Sequence, residues 1–408
     1  MKKKILVNLS LVMILCLISR CIAAFYFADV KIDNEWGNLV HNLYVSGTLG
    51  INVDSGTAIE SSFAEVGDKV LPSIYMPPLY AYYIYTLKIL TIEFFDLVKI
   101  VIISQILLSC LSVFVFYKII RNFIKYKTSI YLSYIFALFP LNIISAVQIS
   151  SITLQLFLFL LYAYFLVLFL KEKTYKKIIN VGIFSGFLML IRGEFILLFI
   201  LTILYLLFVS KVILKKIIIF IFFSMVIISP HIMRNYINFN SFILTKSFGY
   251  NLLKGNNPET VVQGNPEYMD RIVDSSKMLV EKNNRYEINL DNLYRTRAIE
   301  HIKDDPLKYI NLYFKKILVF TFFNVSSTYP NYYNILHIIP KIFLSILSLY
   351  GGIIVLRKSG FLQYISLFYF INIFLFSIFF ILPRYSLMLL PIQIILSYYA
   401  MKNLKPSV

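Results

Sequence analysis

The feature that most constrains this chain is a series of apolar runs of roughly 15 to 22 residues, about the length a helix needs to cross a bilayer. Ile217 to Phe223, an unbroken string of Ile and Phe, is the extreme case. Within lipid, the backbone N–H and C=O groups of such runs find their partners inside a helix. The expected fold is an all-α integral membrane protein, a polytopic helical bundle of about 10–12 spans. A chain that is 59% hydrophobic and 15% charged is not a soluble domain.

A formal charge of +18 would suit a nucleic-acid partner if the basic residues formed a patch. Most of them instead sit at the ends of apolar runs, as cytoplasmic anchors near anionic lipid do, so no nucleic acid is expected. The short connectors bearing Lys118/Arg121/Lys125/Lys127, Lys171/Lys173/Lys176/Lys177, Lys211/Lys215/Lys216 and Arg357/Lys358 read as cytoplasmic, with the tail Lys402/Lys405. Lys2 to Lys4 join them. The opening has the look of a signal peptide, with Ala23 and Ala24 near its end, but Arg20 interrupts it and the run resumes to Phe27. An uncleaved first helix is expected, its N-terminus cytoplasmic.

This orientation gives crossings near 5–27, 98–119, 129–147, 151–170, 178–191, 195–210, 213–232, 337–356, 361–382 and 385–401. Two more apolar stretches, 79–92 and 311–325, then stay on the outer side, in the interface or dipping in and returning. The chain reads as one membrane domain, 1–408, with outer loops at 28–78 and 233–310.

Those two loops hold 17 of the 21 acidic residues. Asp29, Asp33, Glu35, Asp54, Glu60, Glu65 and Asp68 lie in the first; ten more lie in the second. The turns Ile191-Arg192-Gly193-Glu194 and Pro383-Arg384-Tyr385 reach the same face. Ionisable groups at the ends of apolar helices are costly in lipid, and they usually line a cavity or bind a ligand. Cys16, Cys21 and Cys110 sit in apolar runs, and His41, His231, His301 and His337 are scattered. No ligand spacing supports a divalent metal, and no cofactor motif is present.

Several separated pieces resemble a known group. They begin with Asp33-Asn34-Glu35-Trp36, leading through Leu39, Asn42 and Leu43 to Gly47, then Pro77-Pro78-Leu79-Tyr80, Leu190-Ile191-Arg192 and Arg234-Asn235-Tyr236. Gly249 to Pro258, including Gly255-Asn256-Asn257, follows, then Pro306 to Tyr309 leading to Lys316, and Pro383-Arg384-Tyr385 with Leu389-Leu390-Pro391. In this order they resemble GT-C glycosyltransferases, nearest to bacterial relatives of the protein O-mannosyltransferases and aminoarabinose transferases. Two departures stand out. Met76 occupies a position where relatives often carry a basic residue, and the 148–155 hairpin lacks a carboxylate common among them.

The resemblance implies a GT-C-like core that moves a sugar from a polyprenyl-phosphate donor to a lipid, glycan or protein acceptor, with inversion. It implies a site on the extracytoplasmic face of the plasma (inner) membrane. Such a transfer needs a base for the acceptor hydroxyl, and Asp33 is the first candidate with Glu35 second. It needs cations for the leaving phosphate, which Arg192 and Arg384 can supply as planar forks. Tyr80, Glu194, Asn256, Asn257 and Tyr385 are candidates for lining the site. A polymerase of lipid-linked sugars and a transporter or flippase remain open as alternatives. Inverted repeats and charges deep in the bilayer would mark the transporter, whereas the charges here gather at one face.

Overall fold

The computed structural model describes residues 2–32, 35–52, 69–91, 96–277, 279–323 and 335–404. Asp33, Asp54, Glu60, Glu65 and Asp68 lie outside these residues. The chain opens with α1 (Lys2–Phe27), α2 (Glu35–Ser46), strands β1 (Gly50–Asn52) and β2 (Val70–Pro72), and α3 (Pro78–Leu90). A run of helices follows: α4 (Leu97–Ile120), α5 (Tyr126–Leu138), α6 (Pro140–Ser145), α7 (Ile152–Glu172), α8 (Tyr175–Ile191), α9 (Phe195–Leu204) and α10 (Leu214–Phe239). Next come α11 (Phe248–Gly255), α12 (Pro266–Lys277), α13 (Tyr286–Asp304) and α14 (Pro306–Thr321). The chain closes with α15 (Ile335–Leu356), α16 (Phe361–Phe376) and α17 (Leu390–Leu404).

Among the described residues six helices are long and apolar enough to cross a membrane: Asn8–Phe27, Leu97–Ile120, Ile152–Glu172, Leu214–Phe239, Leu336–Leu356 and Arg384–Leu404. Phe195–Val209 and Phe361–Phe376 are shorter apolar helices. The expected run 129–147 is not one helix. Pro140 holds Phe139 in extended backbone, so α5 ends there and α6 starts anew with proline in its first turn. The segment 233–310, read as a loop, is largely helical. Its first residues belong to α10, and α11, α12 and α13 fill most of the rest.

Polar and small residues set how the helices meet. Arg20, fully buried in α1, donates from Nε to the Ser109 hydroxyl of α4 at 3.0 Å and from Nη1 to the Ala137 carbonyl of α5 at 2.5 Å. A basic group within an apolar run is thereby held by three helices. The hydroxyls of Tyr162, Thr202 and Tyr364 join α7, α9 and α16 in a closed triangle of 2.6, 2.7 and 2.9 Å contacts. Gly182 and Gly186, four apart on α8, let α10 approach. A methyl group at Gly186 would lie 2.6 Å from Ile227 Cβ, so only glycine fits that contact.

Helix α2 is amphipathic, with Trp36, Leu39, Val40 and Leu43 buried at helical spacing. Trp36 meets Tyr80 of α3 edge to face at 5.1 Å. This contact seats α2, and Glu35 at its first turn, against the bundle.

Candidate active site

The first loop and the long segment that follows α10 are tied together by charge. β1 and β2 pair antiparallel, Gly50 with Pro72 and Ile51 with Leu71. Beyond β2, Arg234 of α10 donates 2.7 Å bonds to the carbonyls of Ser73 and Leu49. From the other side Glu287 of α13 accepts from the Ser73 hydroxyl, from Ile74 N at 2.7 Å and from Tyr75 N at 3.0 Å. The strap 73–75 is thus held between a guanidinium and a carboxylate that never touch. One turn along α13, Asp291 accepts from Tyr250 N at 3.1 Å and lies 3.5 Å from Lys246 Nζ. Burial raises the pKa of both carboxyls, while the N–H groups aimed at them act the other way. Gly249 lets α11 close on α13, because a methyl there would fall 1.9 Å from the Asp291 carbonyl oxygen.

This framework brings distant charges together. Tyr75, stacked edge to face on Tyr250 at 5.7 Å, leads from the strap into Pro77 and Pro78. Lys254 of α11 lies 4.8 Å over the Phe380 ring and 5.9 Å over Tyr250. Burial lowers its pKa first, the Arg384 guanidinium lowers it further, and the Glu35 carboxylate pulls it back up. Phe380 in turn packs on Tyr385 at 5.8 Å, and Arg192 lies 5.0 Å over that same Tyr385 ring. Arg192 is neutralised by an ion pair with Glu194 and donates from Nη1 to the side-chain Oε1 of Gln155 at 3.5 Å.

Arg192, Glu194, Tyr385 and Lys254 therefore fall in one neighbourhood, although 193 positions separate Arg192 from Tyr385 in the sequence, and the Glu35 carboxylate acts on it through Lys254. Asp33 lies two residues before Glu35 and outside the described residues. Three expected lining residues have their polar atoms engaged elsewhere. Tyr80 is fully buried and donates to Gln105 at 2.8 Å. Asn256 donates to the carbonyls of Leu252 and Ile378, both at 2.9 Å, and Asn257 donates to that of Leu253 at 3.0 Å. These amides hold the turn after α11 in shape. Lys316 completes it from α14, donating to Gly255 O at 2.7 Å and to Asn256 Oδ1 at 3.0 Å. Among the described residues no three His, Cys, Asp or Glu side chains gather where a metal ion could sit.

Lys254 is the residue that sequence reading passes over. A lysine beside a Gly-Asn-Asn-Pro turn is ordinarily solvated, and only the approach of the 378–385 segment, nearly 130 positions later, gives it neighbours.

The dolichyl-phosphate-mannose-protein mannosyltransferase family matches this chain over residues 76–233. Two structures of the oligosaccharyltransferase of Archaeoglobus fulgidus superpose on 98% of the chain at 11% identity. The TM-scores are 0.56 for the enzyme tethered to an acceptor peptide and 0.59 for AglB with an inhibitory peptide and dolichol phosphate. The chain has a GT-C fold. Within that fold, residues 76–233 resemble the protein mannosyltransferases. The chain spans about half the length of the archaeal GT-C enzymes, covering 50% of each. ArnT from Cupriavidus metallidurans, bound to undecaprenyl phosphate, aligns more loosely, with a TM-score of 0.43, 10% identity, and coverage of 98% of this chain and 78% of that one. None of the curated protein sequences matches.

Proposed function

We propose that this protein transfers a sugar from a polyprenyl-phosphate donor to an acceptor on the extracytoplasmic side of the membrane, with inversion at the anomeric carbon. The observation that carries this reading is Lys254 packed on Phe380 while Arg192 lies over the Tyr385 ring that Phe380 also touches, with the Arg384 guanidinium and the Glu35 carboxylate both acting on Lys254. A carboxylate for the acceptor proton and cations for the leaving phosphate are the two parts such a displacement requires. The archaeal oligosaccharyltransferase is known in complex with dolichol phosphate, which agrees with a lipid-phosphate donor here.

Asp33 or Glu35 takes the proton from the acceptor hydroxyl as its oxygen attacks the anomeric carbon. The bond from that carbon to the phosphate oxygen breaks, and the electron pair leaves on the phosphate. The apolar outer walls of the bundle accommodate the polyprenyl chain. Mass spectrometry of envelope glycolipids, glycans and proteins, from cells with and without this protein, tests the reading. The expected result is the loss of one sugar from one of these fractions. Identical glycoforms in all three would overturn it.

A further inference from the structure

Lys254 packs on Phe380, four residues before Arg384 in the segment that closes on the α11 turn. Among the described residues, neither Lys254 nor Arg384 forms an ion pair, whereas Arg192 is already matched by Glu194. Lys254 feels Arg384 more strongly than it feels Glu35. Its stem is covered by Phe380 and Tyr250, and its backbone begins the turn that Lys316, Asn256 and Asn257 fix. The side chain is thus held in place rather than waving in solvent. Two like charges in a partly desolvated setting repel, and an anion between them removes that cost.

We propose that Lys254 is a second ligand for the donor's phosphate and acts together with Arg384. The assignment rests on the lipid-phosphate reading above and adds to it a residue to which the motifs assigned no role. Lysine contributes a compact charge with three donors, and arginine a planar fork, so the pair can engage different oxygens of one phosphate. Met76 brings no charge from the strap side, which leaves the α11 turn to supply the second cation.

The test is equilibrium binding of a polyprenyl monophosphate, and of the polyprenol of equal chain length, to the full chain in lipid nanodiscs. The wild-type protein is expected to favour the phosphate. Lys254→Met, which keeps the stem over Phe380, is expected to lose at least about tenfold in phosphate affinity, the scale of one charge-assisted hydrogen bond. Its binding of the polyprenol is expected to stay unchanged, and Lys254→Arg is expected to recover most of the loss. Unchanged phosphate binding in Lys254→Met, beside weakened binding in Arg384→Ala, would overturn the role of Lys254 and leave the donor class standing. Equal loss of phosphate and polyprenol in both Lys254 variants would make the lysine a packing residue and overturn the role too. A wild-type protein that binds alcohol and phosphate equally would remove the lipid-phosphate reading itself.

Discussion

Replacing Glu287 with alanine should release the strap that aims Tyr75 and Pro77 at the site. The side chain is 6% exposed and accepts from three donors: the Ser73 hydroxyl, Ile74 N and Tyr75 N. The hydroxyl can turn to another acceptor, but the two backbone N–H groups cannot. Each buried donor left without a partner costs about 1–3 kcal/mol, so with two of them local opening of residues 73–75 should become easier by about 2–6 kcal/mol. At about 1.4 kcal/mol per tenfold, the Ile74 and Tyr75 amides should exchange roughly 30-fold to roughly 20,000-fold faster. Glu287→Gln is expected to exchange within about tenfold of wild type, because its carbonyl oxygen can keep both N–H bonds and its NH2 can donate to the Ser73 hydroxyl. Hydrogen exchange read by mass spectrometry on peptides spanning 70–77 measures this directly. Wild-type exchange in Glu287→Ala, or equal damage from Gln and Ala, would refute the argument that acceptor geometry holds the strap.

Two further outcomes follow from the same framework. Burial raises the folded-state pKa of Glu287 and Asp291, so the folded protein holds their protons to higher pH than the unfolded chain, where carboxyls titrate near about 4. Stability from this source is present in acid and is lost as pH rises through the folded-state values, so the melting temperature of wild type should fall relative to Glu287→Gln/Asp291→Asn from about pH 4 upward. A gap that does not change with pH would contradict the sign. For topology, cysteines placed at Lys69 and Ser275 in a background without Cys16, Cys21 and Cys110 should react with an impermeant reagent from one side of the membrane, and a cysteine at Lys173 from the other. Labelling of Lys69→Cys and Ser275→Cys from opposite sides would break the shared outer face.

The helical bundle was legible because span length and the placement of lysines answer to the bilayer, a constraint each residue meets locally. The same reasoning missed the break at Pro140, although the proline stands in the open, because hydropathy continues across it. Gly182 and Gly186 show their spacing in the sequence as well, but which helix they admit depends on α10. Arg192, Glu194 and Tyr385 stand out in the sequence as charges and motifs at helix ends, and Arg192 joins Glu194 to the Tyr385 ring. Lys254, Glu287 and Arg234 were not legible in these roles. Their partners are backbone groups or rings far away in sequence, and no local pattern records which carbonyl a guanidinium will find. Asn256 and Asn257 illustrate the converse: a motif can be prominent because it shapes a turn, as their bonds to Leu252, Leu253 and Ile378 show.

The most direct test of the central claim is single-turnover transfer from a polyprenyl-phosphate sugar by purified wild type, Asp33→Asn, Glu35→Gln and the double variant, with donor affinity measured in parallel. Amide replacement keeps size and removes the charge a base needs. The account predicts that Asp33→Asn binds the donor as wild type does and transfers at least ~100-fold more slowly, with Glu35→Gln less impaired. Full transfer by the double variant would contradict a carboxylate-assisted glycosyltransferase at this site.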